Sequence, residues 1–160
     1  MSYQYQPPPD WTPPGAQFRS GGTLGRTAIG VLIGLVVTPI GLALAAHGAA
    51  TTRQWVIMGD AANRWGSTFQ IIAGAALLLL VAALAAYSPA GTILAGMVWG
   101  IFPGIVYFLF PDDTFRLIDD LPLLSDETRL AVHAWVINGS VFLAGVLLVG
   151  AGVAATLRRR

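Results

Sequence analysis

Four apolar segments dominate this 160-residue chain: 25–46, 69–87, 91–110 and 130–157, with Arg26 at the edge of the first as their one charged residue. A helix needs about 20 apolar residues to cross a hydrocarbon layer of roughly 30 Å, and each segment is near or above that length. In lipid, every backbone N–H and C=O must be satisfied internally, so segments of this kind fold as helices. The expected fold class is therefore all-α: a polytopic membrane protein built as a four-helix transmembrane bundle. Charged residues make up only 11% of the chain, outside the range of ordinary soluble domains, and little is left over for a second domain.

What lies outside the segments falls into three kinds. Residues 1–24 hold five of the ten prolines, with Tyr3, Tyr5, Trp11 and Phe18 among them, and show no helical period. This proline-rich amino-terminal stretch reads as a disordered tail sampling polyproline II, or as a docking peptide for a partner. Its prolines lack P-x-x-P spacing, so an SH3-type ligand is unsupported. Ala43-Leu44-Ala45 resembles a signal-peptidase site, but the first segment is too long and too far from Met1 for an h-region and reads as an uncleaved anchor. Residues 47–68 and 111–129 are expected as two loops on one side, and Ser88-Pro89-Ala90 as a tight turn that makes the second and third helices antiparallel neighbours.

Charge near the segment ends sets the expected orientation. Arg19, Arg26 and the cluster 158–160 oppose only Asp10 on one side, whereas the loops carry four arginines against seven acids. The reading is amino and carboxyl termini both cytoplasmic, in a multi-pass protein of a bacterial plasma membrane. All nine basic residues are arginine and the helices are rich in alanine and glycine, a composition typical of GC-rich bacterial genomes. The carboxyl-terminal arginines read as an orientation signal and a contact to anionic lipid, not as a nucleic-acid site.

Helices in lipid associate by close packing and hydrogen bonds. Gly96, Gly100 and Gly104 form a stripe spaced by four on the third helix, and Gly30 and Gly34 a shorter one on the first. These five are the expected helix-packing residues, mainly within the chain. Pro39 and Pro103 are expected to kink their helices. The polar residues inside the segments, Thr38, Thr92, Tyr107, Asn138 and Ser140, suit interhelical hydrogen bonds. The segment interiors hold no ionisable group, which argues against a proton pump or ion channel.

Candidate functional residues collect in the loops and at the adjoining helix ends. His47 and His133 could meet there, with Trp135 and Asn138, around a small molecule or lipid, and Trp55 and Trp65 offer a belt or a partner contact. Asp112-Asp113, Asp119-Asp120 and Asp126-Glu127 are acidic pairs seven residues apart, read as a solvated helical face interrupted by Pro122, as helix caps, or as a cation site. Ser125 is an expected N-cap for a helix leading into the fourth segment, and Asp60 for a short helix leading into the second. Cysteine is absent, which excludes disulfides, thiol catalysis and cysteine metal sites.

No catalytic, nucleotide-binding, metal-binding or cofactor motif is present. The functional expectation is a non-enzymatic accessory or scaffold subunit of a larger envelope or respiratory membrane complex. Its partners would be the lipid bilayer and other membrane subunits, with no nucleic acid and no cofactor. The alternative is a small-molecule or lipid-handling protein with its site at the outer face. A metal-dependent enzyme would require a carboxylate brought beside a histidine.

Overall fold

The computed structural model describes residues 23–59, 64–120 and 125–158, all of them helix or short connection. The proline-rich tail up to residue 22, Asp60, Pro122, Arg159 and Arg160 lie outside the described residues. Four helices are long and apolar enough to cross a membrane: Gly25–Ile57, Arg64–Ala86, Pro89–Leu109 and Ser140–Leu157. This makes the chain a multi-pass membrane protein by length and composition.

Helix α1 runs Thr23–Met58 and α2 runs Arg64–Ala83, tightening into a 3-10 turn at Leu84–Ala86. The expected loop over 47–68 is therefore mostly helix, and only residues 59–63 connect α1 to α2. Its polar residues do not break the helix, because the hydroxyls of Thr51 and Thr52 donate back to the carbonyls of His47 and Gly48, at 3.1 and 2.8 Å.

The third crossing starts at Ser88, whose extended backbone (φ −142°, ψ 88°) breaks the chain, and Pro89 at the first helical position begins α3 (Pro89–Gly96). A π-helical turn, Met97–Ile101, separates α3 from α4 (Phe102–Leu109). Pro103 sits just after that turn and has no N–H to contribute to the α-helical ladder. The wider turn absorbs the missing donor, with the Phe102 N–H reaching back five residues to the Met97 carbonyl.

Beyond the third crossing, α5 (Pro111–Asp119) and α6 (Asp126–Ile137) form a cap, and α7 (Ser140–Leu157) is the fourth crossing. The fourth segment, expected as one helix over 130–157, is thus two. Asn138 ends α6 and Gly139 turns left-handed at φ 73°, a conformation that side chains disfavour and glycine adopts freely. The break leaves α7 with 18 residues, about 27 Å at 1.5 Å per residue, close to the hydrocarbon thickness.

Packing runs as a ring, α2–α1–α3–α7. Glycines close three of its seams. A Cβ on Gly74 of α2 would sit 2.6 Å from the Gly41 carbonyl oxygen on α1, and one on Gly48 would meet the Ser67 carbonyl at 2.7 Å. Gly30 lies against Ser88, and Gly34 against the Gly91 carbonyl, which joins α1 to α3. On the α3–α7 side Gly145 seats between Gly96 and Gly100, and Gly104 faces Phe142. The five glycines expected at helix contacts all face another helix of the same chain. Gly41, Gly48, Gly74, Gly91, Gly145 and Gly152 do so as well.

Helices α2 and α3, expected as neighbours, meet only near their shared turn. There the Thr92 hydroxyl donates to the Val81 carbonyl at 3.0 Å, and Val81, Ala95 and Leu148 form a small core. Of the other polar residues within the segments, Thr38 is buried with its hydroxyl unbonded, and Asn138 is spent on the α6 terminus. Gly30 at Ser88 and Gly152 at the Pro89 carbonyl place the starts of α1 and α3 and the end of α7 together, so Thr23 and Arg158 share one end of the bundle. The cap covers the other end.

Candidate functional site

The described candidate residues of the loops and adjoining helix ends all lie at the cap end. Phe110 is extended, and Pro111 opens α5 with Asp112 and Asp113 in its first turn, where the helix dipole favours negative charge. Buried Thr114 and Ile118 turn one side of α5 inward, and Asp112, Asp113, Arg116, Asp119 and Asp120 stay exposed on the other. Ser125 caps α6 as expected, accepting the Thr128 N–H at 3.3 Å, and Asp126 and Glu127 occupy that first turn. Asp126 also pairs with Arg129 at 3.3 Å. The three acidic pairs therefore lie on two separate helices, and the expected single face is not formed.

His47 and His133 are drawn into different surroundings. The His47 Nδ1 lies 3.2 Å from the Thr128 hydroxyl, which is also 2.9 Å from the Ser125 hydroxyl, so α1 is tied to the start of α6. His133, five residues further along α6, turns towards α5: its ring meets Phe115 edge-on at 5.0 Å, and its Nε2 lies 3.7 Å from the Asp119 carboxylate. A carboxylate is thus beside a histidine, but among the described residues no three histidine or acidic groups are placed to hold a metal ion.

Trp135 is not a pocket wall. It packs against the core of Leu42, Ile118, Val136 and Val141. Asn138 is exposed at the helix break. The shallow depression at this end is lined by Ala43, Leu44, His47, Gln70 and Thr128 and reaches none of His133, Trp135 or Asn138. The four residues expected around one ligand do not share a cavity.

The most distinctive surface is the tip of the α1–α2 hairpin. Arg64 stacks over the Trp55 ring, 5.7 Å from its centroid, and Trp55 is partly buried. Around them Val56 (62% exposed), Ile57 (68%) and Trp65 (84%) present apolar area, with Arg53 exposed alongside. The contacts of Gly30 with Ser88 and of Gly34 with Gly91 fix the register of α1 on α3. By that register the end of α4 at Leu109 is level with roughly residue 50 of α1, so Met58 stands about 12 Å beyond it at 1.5 Å per residue.

Val56 and Ile57 carried no signal by themselves, because residues 47–68 read as loop. The missed cue was the pair Thr51-Thr52, whose hydroxyls can bond back into a helix. No family model, curated protein or solved structure matches this chain.

Proposed function

We propose that this chain is a non-enzymatic accessory or scaffold subunit of a larger membrane complex of the bacterial envelope or respiratory apparatus. It lies in the plasma membrane with both termini cytoplasmic and docks its partner through the tip of the α1–α2 hairpin. The observation that carries this reading is the length of α1. Its 36 residues measure about 54 Å, against roughly 30 Å of hydrocarbon. Part of the excess, about 12 Å, lies at the cap end and carries Val56 and Ile57, large apolar side chains exposed beyond the level at which α4 ends. Trp65, nearer that level, suits the headgroup region, but side chains further out need a protein surface to cover them.

The orientation rests on charge. Arg26 and Arg158 sit at the terminal end, while all described carboxylates lie on α5 and α6 at the cap end. Over the whole sequence five of the nine arginines lie with the termini against four at the cap end, and the cluster 158–160 directly follows the last crossing. Under the positive-inside rule this supports a cytoplasmic terminal end.

The test is affinity purification of the full chain from its own membranes in mild detergent, with quantitative mass spectrometry. An integral membrane partner should co-purify, and its recovery should fall about tenfold or more in Ile57→Glu, as for a charge placed in the centre of an interface. Recovery of the chain alone, as a monomer, sinks the proposal.

A further inference from the structure

Three seams of the helix ring are closed by glycine, but the fourth, between the end of α2 and the end of α7, is open. Ala82 and Ala86 on one side and Ala151 and Ala155 on the other line a groove, and Arg158 stands at its mouth. We propose that this groove binds an anionic phospholipid from the leaflet on the side of the termini, with an acyl chain lying along the alanines and the phosphate against Arg158.

Three observations select that occupant. The groove faces outward between two membrane-crossing helices, so its walls meet hydrocarbon and take an apolar chain. Its open end coincides with the end of α7, where Arg158 is exposed at the level of the headgroups and is followed in sequence by Arg159 and Arg160. Charge is also unbalanced at this end. Arg26 sits 4.5 Å over the Tyr87 ring, next along the chain from Ala86. Every described carboxylate lies at the cap end, on α5 or α6. A partner helix could fill a small-residue groove, but it would answer Arg158 only if it also carried an acidic residue at that depth. A phospholipid supplies both the apolar filling and the anion, and basic pockets between membrane helices bind anionic headgroups.

The experiment is a lipid titration of the full chain in neutral detergent, followed by native mass spectrometry. Dioleoylphosphatidylglycerol is compared with dioleoylphosphatidylcholine, which has the same chains and no net charge. The wild type should retain the anionic lipid preferentially. Arg158→Gln should cut that preference about fivefold, the share of one arginine at a membrane surface. Arg158→Lys should keep most of it. Ala155→Leu, which fills the groove from a lipid-facing wall, should lower retention of both lipids. Arg116→Gln, at the opposite end, should leave the preference unchanged. Equal retention of the two lipids by the wild type overturns the proposal. So does Ala155→Leu with undiminished retention, or an Ala155→Leu chain that loses a dimer or a co-purifying protein while its lipid preference is intact.

Discussion

Pro39 deletes a hydrogen-bond donor in the middle of a membrane helix, and the carbonyl four residues back, Leu35, loses its partner. The indole N–H of Trp99 supplies a replacement, donating to that carbonyl at 2.9 Å from the π-helical turn of the third crossing. Two irregularities on different helices thus complete each other. Trp99→Phe should lower stability in a denaturing-detergent titration by about 1 kcal/mol, the scale of a hydrogen bond within a membrane protein. In a Pro39→Ala background the cost should largely vanish, since the substituted alanine restores the backbone donor. An equal loss in both backgrounds sinks this assignment. Pro39 was legible in the sequence as a kink. Trp99 was not, because the indole and the carbonyl it meets are 64 residues apart and nothing along the chain states that they share a depth.

At the scale of the elements, backbone meets backbone where the glycines lie. A methyl group on Gly100 would strike the Gly145 backbone, and neither helix has a side chain there that could yield. Gly100→Ala should therefore destabilise the bundle by about 1–3 kcal/mol, as overpacking does. Gly150→Ala, on the same α7 but with nothing within 4 Å of the added carbon, should be neutral or slightly stabilising. Equal effects of the two, measured by the same titration, would contradict the seam. The stripe on the third helix was legible from its spacing of four. Its partner Gly145 was not, because small residues are common throughout such segments. The split of the fourth segment was hidden for another reason: Asn138 and Ser140 read as hydrogen-bonding residues within a continuous helix, and only the left-handed preference of Asn138-Gly139 marks the turn.

For the whole molecule, the number of crossings was legible, because lipid imposes it on composition, but not every length: the first runs on to Ile57 and the fourth begins only at Ser140. Nor was the ring order, since it follows from which small faces meet and not from chain order. Orientation can be tested directly, because the chain has no native cysteine to remove. In intact cells a membrane-impermeant maleimide should label Asp113→Cys on the cap, and Gly25→Cys only after lysis. The reverse pattern would invert the orientation. One consequence concerns how the third and fourth crossings find their alignment. Gly96, Gly100 and Gly104 repeat every four residues, so a neighbour displaced by one helical turn of about 5.4 Å would meet much the same flat surface. Such a row behaves as a rail: it permits closeness but has no phase. Phe142 supplies the phase, its Cβ lodged against Gly104 and its ring edge-on to Phe108 at 5.8 Å. One aromatic side chain is the stop that turns a sliding contact into a fixed one.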